Sequence, residues 1–290
     1  MLQQTFEELF RSQNPDHAFL LTRLQEALNV EEVTFADITT INLTTFKDYL
    51  KSYRKSNGKT IAASTVKNYL AVFNAFISSL AADGLIQPIN TKKIGHIRVD
   101  SCENIALTEE EVDKFIKYYK SILSRKNHIA ERDCLTLFLI EILTGARGGD
   151  VENFSMDNII DGNLVYVSHK TNTTTRLPAH TMLPMLFAHM PQRRYARTVK
   201  NRIVKRIADN LGINRIEPRN YHGVLAPRKR CVYIGMHTAR RTFVTILVDR
   251  GVPITTVSKY CGHKDIKMTY RYYQPDSLPI SDTAMSFFNS

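Results

Sequence analysis

Cysteine is scarce in this chain: Cys102, Cys134, Cys231 and Cys261 lie far apart and form no C-x-x-C pair. That spacing argues against both a disulfide framework and a structural zinc site. Cys261 and His263 could supply half a metal site, but no second pair stands at ligand spacing. No Gly-rich phosphate loop is present either, so neither a metal nor another cofactor is expected. Long apolar runs are also missing. None approaches the ~20 residues that span a bilayer, and the start, Met1 to Glu8, has neither the basic end nor the apolar stretch of a secretory signal. A soluble protein of a reducing cytoplasm, with no membrane partner, is the expectation. With only 12 Gly and 10 Pro in 290 residues and 43% hydrophobic content, the chain is not fibrous, collagen-like or disordered. Tryptophan is absent too, and that absence excludes nothing.

Acidic residues are the minority: 28 Asp and Glu face 39 Lys and Arg, for a net charge of +11. The excess is local. Pro191 to Arg241 holds 14 Lys or Arg against only Asp209 and Glu217, which leaves the remainder of the chain near neutral. Charge concentrated in this way suits a polyanion, with nucleic acid the leading partner. The plainer alternative is a solvated basic surface.

The chain is long enough for two ordinary domains. Up to about residue 100 it reads as short amphipathic helices. Ala18, Leu20, Leu21, Leu24 and Ala27 recur at helical spacing after Asn14-Pro15-Asp16, and a second helix covers Leu43 to Tyr53. A third runs from Ser64 to Ala82, with Val66, Tyr69, Leu70, Phe73, Phe76, Ile77 and Leu80 in one stripe and Gly84 as its stop. Periodicity lapses between Ile89 and Ile105, where Lys92, Lys93, His96 and Arg98 lie, and a domain boundary is expected there, giving domains 1–100 and 101–290. Thr108 and Glu111 then form a capping box. Arg132 to Leu143 is apolar on nearly every side, as a central core helix is. Leu164 to Ser168 and Thr174 to Pro178 flank a polar turn and predict a hairpin. Helix is expected again from Thr198 to Asn210 and from Pro253 to Tyr260.

The second half carries the chemistry-bearing residues. Arg147 lies in Gly145-Ala146-Arg147-Gly148-Gly149-Asp150, after a core helix and a glycine turn. His237 and Arg240 stand three apart on one helix, and His263 follows Gly262, nine residues before Tyr272. A phosphodiester repels nucleophiles, so an enzyme acting on it must supply fixed cations and donors. Arginine suits that task because it stays charged and grips two oxygens at once. Taken singly, each residue has a plainer reading: Arg147 a helix-surface ion pair, His237 a cap, Arg240 a surface charge, the tyrosines packing, and Lys170 a solvent-facing turn lysine.

Taken in order, Gly-x-Arg-x-x-Asp, His-x-x-Arg, Gly-His and a tyrosine nine residues on resemble the tyrosine recombinase (phage integrase) family. The resemblance covers about Thr108 to Gln274, with Cys261 where the family usually has leucine. It implies a mainly α fold: a helical N-terminal domain that binds core DNA, and a helical catalytic domain with a small antiparallel β-sheet. It implies that Tyr272 attacks the scissile phosphate to form a 3′-phosphotyrosine, that Arg147, Arg240 and His263 hold the phosphate, and that His237 helps take the tyrosine proton. Lys170 matches the family lysine that protonates the leaving oxygen, with Lys267 the runner-up, and Asp150 orients Arg147 from behind. The partner it implies is double-stranded DNA bearing recombination sites, bound by a homotetramer on two sites with possible accessory DNA-bending proteins. The activity is integration, excision or inversion of a DNA segment without metal or ATP. A type IB topoisomerase and a non-catalytic DNA-binding regulator are the other readings the charge and motifs admit.

After Tyr272, Ser281 or Asp282 could cap a short helix bearing Ala284, Met285 and Phe288. A flap over the protein's own core is one use for such a segment; the resemblance implies another, docking into a neighbouring subunit. Deleting Ser281 to Ser290 should therefore preserve folding and single-site binding but prevent two-site synapsis. Native gel shifts with one and two sites, beside a thermal melt, check this; a collapsed melt would support the flap.

Overall fold

The computed structural model describes residues 4–99, 105–221 and 224–273. Cys102, the side chains of Lys92 and Lys93, and the Ser281 to Phe288 segment lie outside the described residues. The chain divides into two compact units, Met1–Asp100 and Ser101–Ser290.

The first unit is helical. Its helices are α1 (Phe6–Gln13), α2 (Phe19–Leu28), α3 (Thr40–Ser52) and α4 (Ala63–Ala82). Sequence periodicity missed α1, which is too short to show a stripe. Its signal is the cap: the Thr5 side chain accepts the Glu8 amide while the Glu8 carboxylate accepts the Thr5 amide. The helix delivers Phe6 and Phe10 to the core, where Phe10 lies 4.8 Å from Phe73 and 5.0 Å from Phe76, ring centre to ring centre. The apolar stripe of α4 is buried at Val66, Leu70, Phe73, Phe76, Ile77 and Leu80, and Gly84, with φ at +74°, follows its end.

The second unit is built around α6 (Ile129–Thr144), buried on nearly every side from Asp133 onward. Packed on it are α5 (Glu109–Ile122), the single turn α7 (Gly148–Val151), α8 (Leu183–Phe187), α9 (Arg197–Asn210) and α10 (Met236–Asp249). The Thr108–Glu111 capping box opens α5 as expected. Strands β1 (Ile159–Ile160), β2 (Asn163–Ser168) and β3 (Thr173–Pro178) form an antiparallel sheet in that order, with Leu164 opposite Leu177 and Ser168 opposite Thr173. Two further helices, α11 (Ile254–Tyr260) and α12 (Ile266–Tyr272), follow among the described residues. No helix among the described residues is long and apolar enough to cross a membrane.

A second sheet corrects the sequence reading, which saw strand signal only near residue 170. β4 (Ile216–Tyr221) and β5 (Val224–Lys229) pair antiparallel within the basic stretch. The facing prolines Pro218 and Pro227 and the surrounding arginines mask the alternation that a strand normally shows. The same stretch is also less bare of acid than its composition suggests. Lys200 pairs with Glu152 at 2.6 Å and Arg206 with Glu131 at 2.8 Å, both carboxylates lying outside it.

Arg230 closes the hairpin onto the domain. Its guanidinium donates to both oxygens of Glu111, at 2.6 and 2.9 Å, to Glu217 at 3.0 Å and to the Ala106 carbonyl at 2.7 Å. Only 3% of the residue is exposed. Removing one partner of a buried pair strands the other charge. Arg230→Ala should therefore lower stability by about 3–5 kcal/mol, read from urea unfolding; a change within error would show that Glu111 and Glu217 find other partners.

Candidate active site

Arg147 is the N-cap of α7, two residues beyond a sharp turn. Gly145 makes that turn with φ at +63°, and a Cβ there would sit 2.3 Å from the Phe243 ring of α10. Glycine thus meets both needs, a left-handed backbone and close packing. From the cap, Arg147 Nη1 donates to Ser168 Oγ at 2.9 Å, and Ser168 donates in turn to Asp150 Oδ2 at 3.0 Å. Asp150 thus reaches Arg147 through a serine that the sequence motif does not include. Burial, and then the charge of Arg240, press the Arg147 pKa down.

Arg240 on α10 is 1% exposed, far from the surface charge that was its plainer reading. It donates to the Gly145 carbonyl, to the Cys261 carbonyl at 2.7 Å and to His263 Nε2 at 2.7 Å. Its Nε–H is buried and finds no partner among the described residues. Because arginine only donates, His263 Nε2 must carry the lone pair, and Nδ1–H donates to Thr269 Oγ1 at 2.8 Å. Burial, reinforced by Arg240 and Arg147, pushes the His263 pKa down to about 3.

Tyr272 ends α12 inside this group. Its ring lies 5.2 Å from that of His263, near-parallel, and 5.1 Å edge-on from His237. The guanidinium carbons of Arg240 and Arg241 stand 5.4 and 5.9 Å from its centre. Desolvation lowers the His237 pKa to about 4, joined by the charges of Arg241, Arg240, Arg197 and Arg147. The residue is also exposed on the surface, where solvent screens those charges. Both histidines are neutral at pH 7.

Lys170 is exposed in the β2–β3 turn. That turn lies against the His263 loop: Thr171 Oγ1 donates to the Gly262 carbonyl at 3.3 Å, and a Cβ at Gly262 would meet Thr175 Oγ1 at 2.8 Å. Lys267 is exposed on α12. The structure thus gathers Arg147, His237, Arg240, His263 and Tyr272, and leaves Lys170 on an adjoining turn with its side chain in solvent. Sequence reasoning missed Ser168, Arg241 and Glu141. Of these only Arg241, next to the His-x-x-Arg motif, carried a positional hint.

A family model for the phage integrase family matches residues 106–278, more than half of the chain. The chain belongs to the phage integrase family. A second model, the phage integrase SAM-like domain, matches residues 15–94. The integrase of Escherichia phage 186 is 24% identical over 230 residues, 78% of this chain and 62% of that protein, so the match spans less than two thirds of the relative. Among solved structures, the XerH site-specific recombinase bound to a palindromic difH substrate has a TM-score of 0.63 at 17% identity, covering 95% of this chain and 80% of that one. A lambda integrase dimer bound to a COC′ core site gives 0.57 at 16%, covering 93% of each chain. The Tn1549 transposon integrase in complex with a circular intermediate DNA gives 0.59 at 14%, covering 99% of each. At these identities the structural likeness is one of fold, which is that of tyrosine recombinases.

Behind His237 opens a cleft of about 360 Å³ lined by Glu141, Gly148, Glu152, Arg197, Lys200 and Met236. Burial raises the Glu141 pKa from 4.5 to about 8, against the pull of Lys200 and Arg240. Between those values the folded protein keeps a proton that the unfolded chain has released, so stability falls as pH rises through that window. Glu141→Gln should flatten this fall, measured as the urea midpoint against pH; an unchanged slope would place the titration elsewhere.

Proposed function

We propose that this integrase-family protein is a site-specific DNA recombinase that cuts and rejoins strands through a 3′-phosphotyrosine. The observation that carries the reading is the enclosure of Tyr272: one phenol surrounded by two neutral imidazoles and two guanidiniums, with Arg147 close enough to depress the same histidines. Arginines held in a partly water-excluded site stabilise the charge that develops on a phosphate under attack. The Tyr272 oxygen forms a bond to phosphorus as the bond to the 5′-oxygen breaks. Neutral His237 is free to accept the phenolic proton, and Lys170, once its turn closes on DNA, supplies a proton to the departing oxygen. The phosphotyrosine conserves the bond energy, and a 5′-hydroxyl reseals it without ATP.

In the free protein His263 accepts from Arg240. For its Nε2 to donate to the phosphate, the proton must pass from Nδ1 to Nε2 as Arg240 turns its donors to the anion. Arg147 and Arg240 hold the oxygens, and Asp150 keeps Arg147 aimed. The partner is duplex DNA with recombination sites, bound by residues 1–100 and by the catalytic unit 101–290, in a homotetramer spanning two sites. Accessory DNA-bending proteins fit the same scheme, and the setting is the cytoplasm of a bacterium carrying a mobile element.

Tyr272→Phe should abolish covalent adduct on a nicked suicide substrate while leaving binding nearly intact; normal adduct, or loss only in Tyr270→Phe or Tyr273→Phe, would sink the assignment. A non-catalytic regulator would give no adduct from the unaltered protein. Arg147→Ala should slow cleavage by on the order of a hundredfold or more. Lys170→Ala should recover on a substrate with a 5′-phosphorothiolate leaving atom, which needs no proton, whereas Arg147→Ala should not. Because guanidiniums supply the positive charge, cleavage should proceed in EDTA, and strict dependence on Mg²⁺ for the chemical step would contradict the mechanism.

A further inference from the structure

Ser168, the last residue of β2, is 1% exposed and touches both halves of the phosphate-handling group. Its hydroxyl accepts from Arg147 Nη1 at 2.9 Å and donates to Asp150 Oδ2 at 3.0 Å. A hydroxyl can accept and donate at once, whereas a guanidinium only donates and a carboxylate only accepts. Serine is thus the adaptor that lets a carboxylate steer an arginine without forming a direct ion pair, leaving the other guanidinium donors for an anion.

The same residue anchors the turn behind it. The Ser168 carbonyl accepts the amides of Thr171 at 3.3 Å and Asn172 at 2.8 Å, and Asn172 takes a left-handed φ of +50° to close the turn. The other oxygen of Asp150 accepts the His169 amide at 2.8 Å, one residue before Lys170. One carboxylate and one serine therefore fix the direction of Arg147 and the root of the Lys170 turn together.

Resting on the recombinase reading, we propose that Ser168 is a positioning residue for strand cleavage, setting Arg147 and the Lys170 turn in a common frame. It touches no substrate and acts through those two groups. The alternative is a hydroxyl that merely satisfies a buried corner of the sheet.

The test uses the full chain, single-turnover adduct formation on a nicked site, single-site gel shifts and a thermal melt. Ser168→Ala should bind and melt much like the unaltered protein yet cleave on the order of 10- to 100-fold more slowly, the cost of a misplaced catalytic group. The deciding arm places Ser168→Ala in an Arg147→Ala background on the 5′-phosphorothiolate substrate, where both groups it positions are out of play. There the serine change should add no further loss. Unimpaired cleavage by Ser168→Ala, or the same multiplicative loss in that background, overturns the proposal. If Ser168→Ala melts early, Asp150→Asn, nearly isosteric, enters the same cycle with the same expectation and the same overturning result. Absence of adduct from the unaltered protein counts against the recombinase reading itself and is seen before any serine variant is made.

Discussion

The second unit depends on burying one arginine. Arg240 is almost wholly removed from water, and an isolated charge in such a place is strongly unfavourable unless its donors are met. Its terminal nitrogens are met by two main-chain carbonyls, from Gly145 at the end of α6 and Cys261 beyond α11, and by the ring of His263, while the Nε–H has no partner among the described residues. Those acceptors belong to separate stretches of chain, so satisfying the guanidinium brings together the loop of Arg147 and the loop of His263. Folding the domain and assembling the group of guanidiniums and imidazoles are thus largely one event.

Gathering cations has an electrostatic consequence that the surrounding groups moderate. Burial first, and then the guanidiniums beside them, lower the proton affinity of His237 and His263, which keeps both imidazoles neutral at pH 7. Carboxylates are kept one step back: Asp150 answers Arg147 only through Ser168, and Glu152 faces Lys200 in the cleft behind His237. Negative charge placed directly on the arginines would have competed with phosphate. Glu141, the most deeply buried carboxyl of that cleft, avoids the competition by holding its proton.

Much of this was legible in the sequence where a residue type has one dominant use. Helical stripes located α2, α3 and α4, uniform apolarity located α6, and Thr108 with Glu111 located the start of α5, since these patterns follow from geometry alone. The family resemblance carried by the ordered motifs from Arg147 to Tyr272 marked five residues that the structure collects. What escaped has a physical reason. The β4–β5 hairpin is held by Arg230 and two glutamates rather than by an apolar alternation, and serine is too common and too versatile for Ser168 to stand out. That Arg240 would be buried could not be read from a charged residue on an amphipathic helix, because the acceptors that permit it lie 95 residues before and 21 after.

Tyr272 is mounted quite differently from the arginines around it. Its helix, α12, has seven residues, with only Thr269 buried, well under the length at which a helix sustains itself in water. Asp265 caps its start, the Thr269–His263 bond pins its middle, and Tyr273 reaches Asp249 just past its end. The Arg240 guanidinium is thus held by buried bonds, whereas the Tyr272 ring is hung beside it by a few separable attachments. Under the proposed recombinase reading, such a division would let the Tyr272 hydroxyl be advanced or withdrawn while the guanidiniums stay assembled, so control over when a strand is cut would act on position alone.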